Sequence, residues 1–196
     1  MGLGKQAKIM SKTQERAVLS HLESTRYPLK NRVLFLLSIK SGLRAKEISS
    51  VTWAMVTDSD GDIAQEIRLE NTASKGDSGR VIPLNAELRA SLVTLYESLG
   101  DKAQPHLEVI RSERGRKMTA QSVSVWFSRV YRKLGMEGCS SHSGRRTFGT
   151  RAAKAVVGAG GSLKDVQELL GHSSLAMTQR YIQGSEDAKQ KVVDLL

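Results

Sequence analysis

Cysteine is almost missing from this sequence: Cys139 is the single one among 196 residues. That excludes an intramolecular disulfide framework and a metal cluster built from cysteine alone. Long apolar runs are missing too. The longest, residues 33–37, is five residues, far short of the roughly 18 that a membrane span needs. Residues 1–12 are polar and basic and lack the apolar stretch of a secretion signal, so a cytoplasmic protein with no membrane partner is expected. No carboxylate cluster, His-Glu-x-x-His segment or Walker-type phosphate loop occurs. Acidic residues are in deficit: 20 Asp and Glu against 30 Lys and Arg leave a formal charge of +10. A charge of that size points to a polyanionic partner, most often nucleic acid. On its own it fits a merely soluble basic surface equally well.

What is present reads mostly as helix. At 39% hydrophobic residues the chain can build a core, and no repeat, low-complexity tract or linker divides it, so residues 1–196 are expected to form one domain. Ser11 with Gln14 makes a capping-box pattern ahead of Val18, Leu19 and Leu22, predicting a helix over 12–23. Pro28 suits a first helical position, and the apolar 33–39 stretch reads as a central buried helix ending near Gly42. Asn85 caps a helix with Leu88, Leu92, Leu95 and Leu99 on one face. Thr119 opens another, striped by Val123, Phe127, Val130 and Leu134, and Ser162 with Asp165 boxes a third before Val166, Leu169 and Leu170. A last helix over 185–196 presents Val192, Val193 and Leu196. Between Val51 and Leu84, short apolar pieces alternate with turn-rich Asp60-Gly61 and with residues 74–79. The expectation is a mainly α fold with a small three-stranded antiparallel sheet, Lys75 projecting from a hairpin tip.

Four separated segments combine basic residues, histidine and tyrosine: Ser41-Gly42-Leu43-Arg44-Ala45-Lys46-Glu47-Ile48, Lys75, His142-Ser143-Gly144-Arg145-Arg146-Thr147, and Leu170-Gly171-His172-Ser173-Ser174-Leu175-Ala176-Met177-Thr178-Gln179-Arg180-Tyr181. Each has an ordinary explanation when taken singly. Arg44 and Glu47 suit a surface ion pair. Lys75 suits a solvated loop, His142 and Arg145 a helix start, His172 a helix C-terminus, and Tyr181 a packing position. As a set they resemble the tyrosine recombinase (phage integrase) family, whose catalytic domain carries S/T-G-L-R-x-x-E-[IL], a hairpin lysine, H-x-x-R, and L-G-H followed nine residues later by tyrosine. Order and type agree at all six positions, and the resemblance spans almost the whole chain, about residues 11–182.

The resemblance implies a DNA breaking-rejoining catalytic fold and a site-specific recombinase. Tyr181 would attack a phosphodiester to leave a covalent 3′-phosphotyrosine. Arg44, Arg145 and His172 would neutralise the non-bridging oxygens, Lys75 would protonate the leaving 5′ oxygen, His142 would accept the tyrosine proton, and Glu47 would orient the site from behind. Two arginines, a lysine and two histidines supply the charge a metal otherwise brings, so no metal or cofactor is expected. Implied partners are double-stranded DNA, further copies in a tetrameric synapse coupled through the 185–196 helix, and accessory DNA-bending proteins, with a monomer free in solution and the protein at the nucleoid. Two rivals share these features: a type IB topoisomerase-like relaxing enzyme, and a DNA-binding accessory factor without catalysis. The basic 111–117 and 129–133 stretches are candidate phosphate contacts.

The sequence departs from the family pattern in three places. Ser143-Gly144 replaces the usual Asp-Leu, which leaves the packing under that turn open. Residues 157–162 predict a longer, looser turn than usual. Only 43 residues precede Arg44, too few for the family's N-terminal core-binding domain. The chain is then either a catalytic-domain-only member, which its own Met1 favours, or a fragment.

Overall fold

The computed structural model describes residues 7–71 and 79–181. Lys75 and the 182–196 segment, with its expected helix, lie outside the described residues. The helices follow their caps. In α1 (Lys12–Glu23) both halves of the box form, Ser11 accepting from the Gln14 N–H and the Gln14 side chain from the Ser11 N–H. α2 (Pro28–Ile39) has no side-chain cap, and Pro28 at its first turn removes an N–H that would lack a partner anyway. Val33, Leu34, Phe35, Leu36, Leu37 and Ile39 are all buried, each contributing about 1.5–3 kcal/mol. This makes α2 the centre, with α1, α3 (Ala45–Ile48), α4 (Ala86–Leu99) and α6 (Ser143–Ala155) packed on it. α5 (Ala120–Lys133), capped by Thr119, covers α3.

α6 comes unusually close to α2, and the reason is Gly144. A Cβ there would lie 2.9 Å from Ser38 Cβ and 3.2 Å from its carbonyl carbon. The departure at Ser143-Gly144 is therefore a close-packing solution, and it seats the start of α6 directly on the buried helix. The N-terminal segment is tied to α6: the Met10 N–H donates to Thr147 Oγ1 (2.8 Å) and Arg151 Nη2 to Met10 O (3.2 Å). After α6 the expected loose turn is instead laced by hydrogen bonds, Ala159 N–H to Ala155 O and Gly161 N–H to Val156 O. It leads into the Ser162 capping box of α7 (Leu163–Leu170) and then α8 (Leu175–Gln179).

Among the described residues the sheet has two strands rather than the expected three. β1 (Glu66–Leu69) pairs antiparallel with β2 (Arg80–Pro83) in the register Ile67 to Ile82 and Leu69 to Arg80. The 51–55 piece has strand-like alternation but forms a 3₁₀ turn, Trp53–Met55. Its N–H groups go to loop carbonyls, Trp53 to Leu107 O (3.0 Å) and Ala54 to Pro105 O (2.8 Å), while the buried Trp53 ring packs on Tyr96 at 5.0 Å. Among the described residues, isolated bridges at Thr52–Glu108 and Thr57–Ile63 stand where the third strand was expected. Cys139 is half-buried against the core.

Candidate active site

The residues singled out in sequence converge on one place. Arg44, His142, Arg145, His172 and Tyr181 line a single cleft of about 300 Å³. They come from four parts of the fold: the N-cap of α3, the start of α6, the turn after α7, and the end of α8. Arg146 and Arg180 line it as well; both lie within the third and fourth segments, which assign them no role of their own.

Behind the cleft sits Glu47, whose side chain is 1% exposed. This is no surface ion pair. Glu47 Oε2 accepts from the Arg44 N–H (2.7 Å), completing the N-terminus of α3, and Oε1 accepts from Arg44 Nη1 (3.0 Å). Arg80 adds a two-pronged contact, Nη1 to Oε1 (2.9 Å) and Nη2 to Oε2 (3.2 Å). Arg80 was not anticipated either: it reads as an ordinary strand residue, and its partner lies 33 positions away. Burial pushes the Glu47 carboxyl up, but Arg80, the Arg44 N–H and the charge of Arg145 outweigh it and hold the group below its ordinary range.

Arg145 is buried, with Nη1 donating to Gly42 O (2.7 Å) and Nη2 to Leu170 O (2.6 Å). Burial, then the neighbouring Arg44, draws its pKa down to about 10, so it stays cationic at neutral pH. One turn along the same face of α6, Gly149 leaves room for the tyrosine. A Cβ there would stand 3.0 Å from the Tyr181 ring and 3.1 Å from Leu170.

α7 ends at Gly171, in the left-handed region at φ +58°, where other residues are strained. That reversal brings His172 back over the site. Its Nδ1 lies 2.9 Å from the hydroxyl of buried Thr178, and its ring stacks on Tyr181 at 5.6 Å and 17°. Burial first, then Arg145, Arg44 and Arg80, depress the His172 pKa to about 4, with Glu47 opposing. The imidazole is therefore neutral near pH 7 and carries one N–H. In the tautomer whose Nδ1 accepts from the Thr178 hydroxyl, that N–H sits on Nε2, available to an anion.

A depressed native pKa has a consequence for stability. The unfolded chain takes up a proton near pH 6.5 and the native state does not. Stability is thus complete above about pH 6.5 and is lost as pH falls toward 4, by about 1–2 kcal/mol at pH 5. Thermal melts between pH 7 and 5 should show a steeper decline for the wild type than for His172→Asn. Parallel declines would mean that His172 is not the source.

The 111–117 stretch does not reach this cleft; Arg111 lines a separate, more apolar one with Tyr27, Lys30, Trp53 and Leu99. Arg129, Arg132 and Lys133 are exposed on α5. Among the described residues no helix is long and apolar enough to cross a membrane.

Known proteins resemble this chain in sequence and in fold. A sequence model described as the phage integrase family matches residues 8–187. The tyrosine recombinase XerC of Myxococcus xanthus is 30% identical over 173 residues, covering 85% of this chain and 54% of the relative. XerC of Rickettsia bellii (strain OSU 85-389) is 29% identical over 183 residues, covering 91% and 56%. The chain thus spans about half the length of these relatives. Among solved structures, a Tn1549 transposon integrase in complex with a circular intermediate DNA superposes with a TM-score of 0.74 at 22% identity, over 99% of this chain and 67% of that one. The XerA recombinase gives 0.71 at 19% identity, over 96% and 64%. At such identities these two structures speak for the fold.

Proposed function

Because the chain belongs to the phage integrase family, we propose that it is the cleaving and rejoining unit of a site-specific DNA recombinase. The observation that carries this reading is the cleft itself. One tyrosine stands there beside four arginines and two histidines drawn from distant parts of the chain.

In the proposed reaction Tyr181 Oη attacks the phosphorus of a DNA diester. The P–Oη bond forms, the P–O5′ bond breaks, and a 3′-phosphotyrosyl intermediate results. Arg44 and Arg145 hold the non-bridging oxygens, whose charge grows as phosphorus becomes five-coordinate. His172, neutral, adds one N–H. Loss of one such donor typically costs about 10²–10³ in rate. His142, exposed at the N-cap of α6, accepts the tyrosine proton, and Lys75 donates one to the departing 5′ oxygen. Attack by the 5′-hydroxyl of another strand reverses these steps, and because the bond energy is kept, rejoining needs no ATP. Arg146 and Arg180 at the cleft's edge hold flanking phosphates. We extend the reading to assembly: copies that meet on DNA as a tetrameric synapse, coupled through residues 185–196, acting in the cytoplasm at the nucleoid.

The test is covalent capture. The protein is incubated with a random-sequence library of nicked duplexes, in which cleavage frees a short strand and traps the adduct, and adducts are resolved on a denaturing gel. The reading predicts adducts whose DNA ends share one recurring sequence. Adducts on unrelated sequences, with relaxation of any supercoiled plasmid, would favour the topoisomerase-like alternative. Duplex binding with no adduct would favour the accessory factor.

A further inference from the structure

The buried face of the site contains one cation more than the proposed reaction uses. Arg80, at the start of β2, has a side chain 7% exposed and does not line the cleft. Its hydrogen bonds point inward. Nε donates to Leu169 O (2.9 Å), and the two terminal nitrogens grip the Glu47 carboxylate as a fork. It is also fitted closely from outside: a Cβ on Gly171 would stand 2.8 Å from Arg80 Nη1 and 3.1 Å from its Cζ.

The arithmetic of acceptors gives this contact its meaning. A carboxylate offers about four lone-pair positions. At Glu47 all four are filled, Oε1 by Arg44 Nη1 and Arg80 Nη1, Oε2 by the Arg44 N–H and Arg80 Nη2. Arg145 Nη1 stands off at 3.9 Å, beyond hydrogen-bond range, and bonds instead to Gly42 O and Leu170 O. Arg80 and Arg145 thereby hold successive carbonyls, Leu169 and Leu170, at the end of α7 just before His172.

We infer that Arg80 is a positioning residue that keeps the Glu47 carboxylate saturated, so that Arg44 holds its orientation and Arg145 is not pulled back from the cleft. Without the fork, two acceptor positions on a buried anion fall vacant, and Arg145 and Arg44 are the donors nearest to fill them. The phosphate clamp would then be drawn toward Glu47. The inference rests on the reading that the cleft takes a phosphodiester.

The experiment uses one duplex recovered from the capture library. For Arg80→Met, the single-turnover rate of adduct formation should fall roughly 10–100-fold, somewhat less than for a donor that touches phosphate. The duplex concentration giving half the maximal rate should stay within about threefold, since Arg80 faces away from DNA. Adding Glu47→Gln to Arg80→Met should restore part of the lost rate, because a neutral amide no longer draws in Arg145. A merely structural loss would not have this sign: it would move rate and half-saturation together, and the second substitution would deepen it. Arg80→Lys keeps the charge without the fork and should lose about tenfold; it decides the matter if Arg80→Met does not stay folded by near-ultraviolet circular dichroism. A wild-type rate in whichever variant folds, or a deeper loss on adding Glu47→Gln, overturns the inference. A wild-type protein that captures no duplex overturns this inference and the underlying reading together.

Discussion

Tyr181→Phe is expected to form no covalent adduct with a nicked duplex while binding that duplex as tightly as the wild type. Phenylalanine keeps the ring that stacks on His172 and lies over Gly149. Only the hydroxyl is lost, so fold and phosphate clamp are preserved and the bond-forming oxygen is removed. A denaturing gel reads the adduct and a mobility shift reads the affinity. The other three tyrosines are poor substitutes. Tyr131 is 1% exposed, and burial raises its pKa far above the ordinary value. Tyr96 packs on Trp53, and Tyr27 lies beneath Lys30 and Arg26 by the separate apolar cleft. Adduct formation persisting in Tyr181→Phe would remove the nucleophile from the account.

Lys75→Ala should slow cleavage of an ordinary duplex by about 10²–10⁴, the span of general acid catalysis. An alkoxide is a poor leaving group and must be protonated as it departs. A 5′-bridging phosphorothiolate departs as a stable thiolate and needs no proton. On that substrate the Lys75→Ala rate should return to within a few-fold of the wild type. Comparing the two substrates isolates the proton-transfer role. Equal losses on both would assign Lys75 to DNA binding instead. The lysine lies outside the described residues, so this prediction rests on the family's pattern and on the β1–β2 hairpin that frames the segment.

Local signals carried most of the helical architecture. The boxes at Ser11 and Ser162 and the caps at Asn85 and Thr119 all form, because capping is decided within four residues. The third strand failed for a non-local reason: Trp53 alternates like a strand residue, yet its backbone pairs with the loop at 105–107. The short α8 has no side-chain cap and only five residues, so nothing local announces it. The residues at the cleft were legible because the family's motifs record them. The scaffold behind them was not. Glu47 reads as Arg44's partner and as a residue orienting the site from behind, but it is buried, and two of its four donors come from Arg80, which joins it only through the fold. Gly144 likewise looked like a blemish in a motif, whereas its lack of a side chain is what lets α6 meet Ser38.

The central claim is that Tyr181 becomes joined to DNA. The most direct measurement is mass spectrometry of the captured adduct after nuclease and protease digestion. The account predicts a 3′-linked nucleotide phosphate on the peptide containing Tyr181 and on no other peptide. The same phosphate on another residue, or no adduct at all after incubation with the library, would contradict it.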